Sequence, residues 1–332
     1  MPDLVPTPTR VDVIVPVFDE EQAVLAFHEQ LRQALDPLPY VFVIYYIDDG
    51  STDHTVEHLH NIARQDPRVQ VVELSRNFGH QAALTAGLDL AQGDLVITMD
   101  GDGQHPPALI SQMLALAQAG YEVVLTQRVD ETGVSRFKRW TSDQFYRLIN
   151  RIGDTHILPG SADFRLMARP VVEALRNMRE YHRFLRGMVA WSGYRSVILP
   201  FTPPARLGGR SKYSPRKMLS LGMDAVFSFS LVPLYVALSV GVLFLCMALA
   251  EVVYVLSFWV SGHTERLAPG WSSLMFMLLL VGGALMVFLG FLGIYIGYIF
   301  QEVKRRPIYL VRRGSSTQAG PQPIPPVKDA DE

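Results

Sequence analysis

Two long runs of the chain carry almost no charge, and they limit the possible fold more than any other feature of the sequence. The run 231–260 has Glu251 as its single charged residue, and the run 271–300 has none. A helix needs about 20 apolar residues to cross a bilayer, and each run is longer than that. We therefore predict two transmembrane helices in an integral membrane protein; the alternative is a pair of buried helices in a soluble protein.

Basic residues flank both runs, whereas the segment 261–270 between them holds one Arg and one Glu. By the positive-inside rule, this distribution predicts that both termini are cytoplasmic and that the loop between the helices lies outside. Residues 214–230 read as a helix at the membrane surface. The flanking basic residues are Arg210, Lys212, Arg216 and Lys217 before the first run, and Lys304, Arg305, Arg306, Arg312 and Arg313 after the second.

The first part of the chain alternates short apolar runs with amphipathic segments. This alternation predicts an α/β domain with a mostly parallel sheet covered on both faces. Neither Gly-x-Gly-x-x-Gly after the first strand nor Gly-x4-Gly-Lys-Ser/Thr occurs, which argues against a dinucleotide fold and a P-loop NTPase. The predicted strands are Val11–Val15, Tyr40–Ile47, Val69–Leu74, Leu95–Met99 and Glu122–Thr126, and the predicted helices lie near 20–35, 53–65, 80–91 and 107–119.

Residues 136–200 show a less regular pattern. We predict a helix near 137–151, a loop at 159–165, helices that start near Pro170 and Tyr181, and a strand at Arg195–Leu199. The following segment, rich in Pro, Gly and basic residues, reads as a mobile loop.

Acidic residues follow the apolar strands at the edge where open α/β sheets bind ligands. Asp100 and Asp102 come directly after the strand that ends at Met99, and Gln104 lies two residues further on. Carboxylate and amide oxygens suit a hard divalent cation that carries a diphosphate. This pattern predicts a site for Mg²⁺ or Mn²⁺ and chemistry on a nucleotide-activated substrate; the alternative is a solvated acidic turn.

Two further strand ends carry acids. Asp48 and Asp49 follow the second strand, where they could accept hydrogen bonds from a base N–H and a ribose hydroxyl; Asp49 alternatively caps the turn. The first strand runs into Pro16-Val17-Phe18-Asp19-Glu20-Glu21. The predicted nucleotide-binding residues are Pro16, Phe18, Asp19, Glu20, Asp48, Asp49 and Asp100.

Charge and cysteine content exclude some classes of function. The 332-residue chain has a net charge of −2, so bulk electrostatics give no case for nucleic acid as a partner. Its single cysteine, Cys246, lies in an apolar run, which argues against a disulfide framework or a thiolate metal site. The first residues lack the pattern of a signal peptide.

Six motifs in order carry a family resemblance: VPVFDEE, DDGSTD, SRNFGHQAAL, DGDGQHPP, SADFRLM and RLGGRSKYS. Over about residues 10–312 the chain resembles the polyprenyl-phosphate glycosyltransferases, which are inverting enzymes of GT-A fold. Two of the motifs depart from the family pattern. The family usually has Asn where this chain has Asp19, and Ala and Leu where it has Gly101 and Gly103.

The resemblance implies a nucleotide-sugar donor and a polyprenyl phosphate acceptor. Asp163 is the predicted catalytic residue, acting as a base or orienting the acceptor or sugar, while His80 and His105 are weaker candidates that we assign to structural hydrogen bonds. Arg128, Lys138, Arg139 and Ser142 are predicted to bind the acceptor phosphate. Arg206, Arg210 and Lys212 form a predicted loop over the diphosphate, or alternatively bind anionic lipid.

We therefore predict transfer of one hexose, with inversion, to undecaprenyl phosphate on the cytoplasmic face of a bacterial inner membrane. RFLRGMVAWSGYRSVILPF favours the bactoprenol glucosyltransferase branch and hence UDP-glucose. The alternatives are a processive polysaccharide synthase and a non-catalytic sugar-nucleotide-binding subunit. The predicted division is a catalytic domain at 1–205, a basic loop and surface helix at 206–230, the two spans, and a cytoplasmic tail at 301–332 with a disordered end.

The second apolar run contains Gly293-x-x-x-Gly297, a spacing that lets helix backbones approach closely. It predicts that the two spans pack together and that the protein forms a homo-oligomer; the alternative is that these glycines serve only the intrachain hairpin. The segment Pro307–Val311 reads as a short strand that could dock on a neighbouring subunit.

Overall fold

The computed structural model describes residues 9–129, 161–181, 183–204, 232–262 and 270–312. These residues belong to two compact units, and the segment 307–312 lies in the same unit as the N-terminal sheet. The predicted helix near 137–151 and the predicted loop and helix at 206–230 lie outside the described residues.

The first unit is built on a seven-stranded sheet with the order β3-β2-β1-β4-β6-β5-β7. Strand β6 runs antiparallel to its neighbours β4 and β5, and the other strand pairs are parallel. The expectation of a mostly parallel α/β sheet is confirmed. The strands are β1 (Arg10–Val17), β2 (Val41–Asp48), β3 (Val69–Glu73), β4 (Leu95–Thr98), β5 (Val123–Arg128), β6 (Ser161–Ala168) and β7 (Ser196–Phe201).

Helices cover the sheet because the central strands are apolar on both faces. Every residue of β1 from Val11 to Val17 is buried, which is typical of a strand between two helical layers. In the first unit the helices are α1 (Val24–Leu35), α2 (Thr55–Gln65), α3 (His80–Leu90), a 3₁₀ turn (Pro107–Leu109) continuing into α4 (Ile110–Gln118), α5 (Arg169–Asn177) and α6 (Leu185–Trp191).

The prediction of a loop at 159–165 was wrong from Ser161 onwards, because those residues open β6. The segment contains two charged residues, Asp163 and Arg165. Both are buried, and their side chains form an ion pair. Because alternate residues of a strand share a face, the opposite charges neutralise each other inside the sheet.

The chain order creates a crevice beside β1. Strand β2 lies on one side of β1 and β4 on the other. The chain runs outwards from β1 to β2 and β3 and then crosses back to β4, and ligands bind at such switch points in open α/β sheets. Helix α3 packs closely on β1 here, since a Cβ built at Gly87 would lie 2.2 Å from Ile14 Cγ2. This packing fixes the start of α3, at His80, next to the crevice.

The segment after the last helix docks on the exposed edge of the sheet. Val311 forms an antiparallel bridge with Leu74 of the same chain, and the backbone N–H of Ser75 donates to the Leu310 carbonyl at 2.8 Å. The Tyr309 hydroxyl donates to Asp89 Oδ2 at 3.0 Å. The predicted tail strand therefore pairs with its own chain in this structure, and it covers an edge that would otherwise invite intermolecular pairing.

The second unit contains two long helices, α7 (Val232–Val260) and α8 (Trp271–Val303), which contact each other. Within the described residues one segment, Leu280–Val303, is long and apolar enough to cross a membrane. The helices lie where the apolar runs predicted them, while the arrangement as two membrane spans stays a prediction.

Candidate active site

The turns after β1 and β2 are tied to each other by hydrogen bonds. The backbone N–H of Asp19 donates to Ser51 Oγ at 2.9 Å, and Asp19 Oδ1 accepts from the backbone N–H of Thr52 at 2.8 Å. The Asp49 N–H donates to the Val17 carbonyl at 2.9 Å. The predicted nucleotide-binding residues at these two strand ends therefore lie side by side; we call this part of the site the first edge.

Asp19 has a left-handed backbone, with φ of 48°. Asn and Asp are the residues other than Gly that adopt this conformation most readily. The exchange of the family's usual Asn for Asp at this position therefore keeps the turn.

Asp48 and Asp49 are buried, and their carboxylates accept from backbone N–H groups. Asp49 accepts from Phe78 at 2.7 Å and from Gly79 at 2.9 Å, and Asp48 accepts from Gly50 and Ser51 at 3.1 and 3.2 Å. Burial raises the pKa of both carboxyl groups, and these hydrogen bonds oppose the rise. Both acids thus shape the loops around the crevice, Asp48 in the turn after β2 and Asp49 in the loop before α3.

Gly50 allows the first edge to close. Its φ is 73°, and a Cβ at this position would lie 2.5 Å from the backbone carbonyl carbon of Arg76. The turn after β2 and the loop before α3 could not approach so closely with any other residue.

Asp100, Asp102 and Gln104 occupy the turn after β4. Gln104 donates its backbone N–H to Asp102 Oδ1 at 3.0 Å. Asp100 Oδ1 is buried and accepts no hydrogen bond from the described residues, although His80 Nε2 lies 3.4 Å away. A buried carboxylate oxygen without a hydrogen bond suits a cation ligand, so these residues fit Mg²⁺ or Mn²⁺.

Among the described residues, no three His, Cys, Asp or Glu side chains gather into a metal site. Two carboxylates, an amide and phosphate oxygens of a substrate form the kind of set that holds Mg²⁺ at nucleotide sites. The metal prediction for Asp100, Asp102 and Gln104 therefore depends on a bound diphosphate.

Asp163 lies beside this turn and is enclosed by cations. Arg186 donates to both carboxylate oxygens, with Nε–Oδ1 at 3.0 Å and Nη2–Oδ2 at 2.7 Å, and Arg165 donates to Oδ1. Burial by itself would raise the pKa of Asp163, but Arg186, His80 and Arg165 outweigh it and hold the pKa well below its usual range. A carboxylate in this state has little affinity for a proton.

His80 stands between the two acids, with Nε2 3.4 Å from Asp100 Oδ1 and 3.6 Å from Asp163 Oδ2. Burial lowers the pKa of His80, but the charges of the two carboxylates more than compensate and the net shift is upward. His80 therefore links the turn after β4 to the cluster of Asp163, Arg165 and Arg186; we call this group, together with Asp100, the second edge.

Arg165 and Arg186 were missed by the sequence analysis as site residues. Arg165 could have been found, because it lies two residues from Asp163 and a strand places such residues on one face. Arg186 comes from α6, and no spacing in the sequence connects it to Asp163.

Arg128 ends β5 and approaches the second edge. Its Nη2 lies 3.3 Å from His105 Nε2, and its buried Nε has no hydrogen-bond partner among the described residues. An unsatisfied guanidinium N–H is compatible with the predicted role in anion binding. The other predicted cations and polar groups, Lys138, Arg139, Ser142, Arg206, Arg210 and Lys212, lie outside the described residues.

Comparison with known proteins identifies relatives over nearly the whole chain. Residues 12–176 match the family described as Glycosyl transferase family 2. The uncharacterized glycosyltransferase YkcC of Bacillus subtilis is 38% identical over 92% of this chain and 94% of that protein. The SfII prophage-derived bactoprenol glucosyl transferase of Shigella flexneri is 36% identical over 92% of this chain and 98% of that protein. The resemblance inferred from the six motifs is confirmed.

Among solved structures, the chain is similar to glucosyl-3-phosphoglycerate synthase from Mycobacterium tuberculosis, in complex with Mn²⁺, UDP and phosphoglyceric acid. The identity is 19%, the TM-score is 0.42, and the match covers 66% of this chain and 76% of that chain. The family match and the sheet order together make the first unit a GT-A-like α/β domain.

Proposed function

The chain belongs to glycosyl transferase family 2, and on that basis we propose that it transfers one glucose from a nucleotide-sugar donor to a polyprenyl phosphate, with inversion. A relative named for bactoprenol glucosyl transfer, similar over nearly its full length, supports this acceptor and this sugar. The observation that carries the proposal is the proximity of the first and second edges beside β1: Gly79 binds Asp49, and the adjacent His80 lies 3.4 Å from Asp100. UDP-glucose is the proposed donor.

The two edges suit the two ends of such a donor. In the proposal, the first edge takes the base and ribose through Asp48, Asp49 and the neighbouring turn after β1. Asp100, Asp102 and Gln104 would hold Mg²⁺ or Mn²⁺, which neutralises the diphosphate and makes the nucleoside diphosphate a better leaving group. The sugar then lies next to the second edge.

The acceptor needs little help from a base. A phosphate monoester has a second pKa near 6 and is largely dianionic at neutral pH. Its oxygen attacks the anomeric carbon from the side opposite the diphosphate, so that one C–O bond forms as the other breaks. Because Asp163 is ion-paired with Arg165 and Arg186, we assign it the orientation of the acceptor or sugar rather than proton removal.

The remaining partners are also proposals. We place the reaction at the cytoplasmic face of a bacterial inner membrane, with α7 and α8 as the two spans. Among the described atoms, none outside the backbone of α8 lies within 4 Å of a Cβ built at Gly293 or Gly297. We propose that these glycines serve a homo-oligomer, because the Gly293-x-x-x-Gly297 spacing lets helix backbones approach closely.

The test is a turnover assay on the purified full-length chain with polyprenyl phosphate. Four donors compete in one reaction: UDP-glucose, UDP-galactose, UDP-N-acetylglucosamine and GDP-mannose. We expect the transfer of glucose, with one sugar attached to each lipid. A polymer product would favour a processive synthase, and donor binding without turnover would favour a non-catalytic subunit.

The metal assignment is tested by Asp102→Asn, which removes a charged ligand from a turn and leaves the sheet intact. We expect transfer to fall by about 100-fold or more, with an unchanged thermal midpoint. The control is Glu57→Gln, the same chemical change at a side chain of α2 that is 70% exposed. Transfer that resists both EDTA and Asp102→Asn would contradict the assignment.

A further inference from the structure

We propose that His105 is a positioning residue that sets the turn of the metal-binding acids against the cation at the end of β5. It acts through the Asp100 backbone on one side and through Arg128 on the other. The inference rests on the proposed function for the identity of the two ligands, a metal-bound diphosphate and a lipid phosphate. The contacts that support it are independent of that function.

The first contact fixes the turn after β4. The backbone N–H of Asp100 donates to His105 Nδ1 at 2.9 Å. This bond closes the turn across Asp102 and Gln104, so it holds together the segment that carries all three predicted ligands. Because Nδ1 accepts, a neutral ring carries its hydrogen on Nε2.

The second contact faces the acceptor side. His105 Nε2 lies 3.3 Å from Arg128 Nη2 and 3.6 Å from Asp100 Oδ2. An Nε2–H and a guanidinium N–H are both donors and cannot bond to each other. The Nε2–H therefore faces the Asp100 carboxylate. The ring limits how far the Arg128 guanidinium can turn towards that carboxylate.

The ring has no freedom of its own. It is fully buried, stacked on Phe164 with centroids 5.3 Å apart and planes at 19°, and packed against the edge of Phe201 at 6.1 Å. A ligand cannot reach the buried imidazole, so any effect of His105 on catalysis passes through the residues it touches. Strands β6 and β7 thereby set the spacing between the metal turn and Arg128.

The two ring nitrogens can be replaced one at a time. The amide of His105→Asn places an acceptor near the position of Nδ1, and the amide of His105→Gln places an N–H donor near Nε2. His105→Asn should keep the bond to Asp100 and lose the contact with Arg128. His105→Gln should lose the bond to Asp100 and keep the contact with Arg128. His105→Phe keeps only the aromatic stack.

Two readouts on the full-length chain in detergent separate these losses. Mn²⁺ binding in the presence of UDP is measured by the EPR signal of free Mn²⁺, without turnover. Acceptor use is measured as KM and kcat with farnesyl phosphate as the probe. Loss of a residue that orients metal ligands typically weakens metal binding by about 10–100-fold, so we expect a shift of that size in His105→Gln and His105→Phe.

His105→Asn is expected to bind Mn²⁺ like the parent and to raise the KM for farnesyl phosphate, with a smaller change in kcat. The proposal is overturned if all three variants match the parent, or if Asn and Gln change both readouts equally. It is also overturned if no variant shows a folded thermal transition, since the ring would then serve packing alone. If the parent transfers no glucose to lipid, the proposed function fails, while the Mn²⁺ arm still tests His105.

Discussion

At the first edge of the site the carboxylates bind backbone N–H groups, whereas at the second edge they face charged side chains. Asp49 accepts from the N–H groups of Phe78 and Gly79. Asp163 is enclosed by Arg165 and Arg186. The same functional group thus has two kinds of partner within one crevice.

The two kinds of partner give the carboxylates different roles: those at the first edge hold loops in shape, and those at the second edge balance charge. A carboxylate that binds backbone N–H groups holds loops in place, and an isosteric neutral group preserves part of that bonding. A buried carboxylate between cations balances their charges, and removing it takes a counter-charge out of the interior. We therefore expect equal chemical changes at the two edges to have unequal effects.

The largest effect on stability is expected for Asp163→Asn. It leaves Arg165 buried without its counter-charge, and breaking a buried pair in this way costs about 3–5 kcal/mol. Thermal unfolding of the full-length chain in detergent measures the loss. The same change at the exposed Glu57 should alter stability by less than about 0.5 kcal/mol.

The pH dependence of stability tests whether charge pairing causes this loss. The pKa of Asp163 is held below its unfolded value of about 4, so the stabilisation is complete above about pH 4 and is lost as the pH falls towards the folded pKa. The stability gap between parent and Asp163→Asn should narrow as the pH falls below about 4. At higher pH the gap should also shrink as the pH rises through the raised pKa of His80, because Asp163 helps to raise that pKa. A gap that does not narrow below about pH 4 would show that the charge of Asp163 is not its origin.

The first edge was largely accessible to sequence analysis. The runs at β1 and β2 are apolar and end in acids, and chain order alone brings parallel strand ends to one side of a sheet. The details of bonding were not accessible: Asp49 binds the loop at Phe78 and Gly79, far along the chain, and this depends on how α3 packs.

The second edge was accessible only in part. Asp163 was identified, but β6 was taken for a loop from Ser161, and its central residues are charged. Charge normally indicates exposure, and only the pairing with Arg165 and Arg186 reverses that rule. Arg186 reaches the site through the packing of α6, which no local pattern records.

A smaller effect is expected for Gly50→Ala at the first edge. A non-glycine residue at φ of 73° costs about 1–2 kcal/mol, and the new Cβ would also push the backbone of Arg76 away. We expect a total of about 2–4 kcal/mol and a higher donor KM, because the loop before α3 must move.

Gly193→Ala is the matched control. Gly193 has a φ of 70°, and no described atom lies within 4 Å of the Cβ position. It should show the backbone cost of about 1–2 kcal/mol alone, with the donor KM unchanged. Equal losses in the two variants would mean that the close approach of the two turns contributes nothing.

The smallest effect is expected for Asp49→Asn, the same substitution as at Asp163. The amide oxygen still accepts from Phe78, while the bond from Gly79 is lost, at a cost of about 1 kcal/mol. Burial raises the pKa of Asp49, so the parent bears a penalty for its buried charge that Asn avoids. The lost hydrogen bond and the relieved burial penalty oppose each other. We therefore expect the free energy of unfolding to change by less than about 1 kcal/mol at pH 7.

The pH dependence of Asp49→Asn should be opposite in sign to that of Asp163→Asn below about pH 4. Because the folded pKa of Asp49 is raised, the parent loses stability as the pH rises from about 4 through the folded pKa. The Asn side chain does not titrate, so the variant should gain stability relative to the parent over that pH interval. Thermal midpoints of both proteins from pH 4 to 8 measure this, and parallel curves for the two substitutions would remove the distinction between the edges.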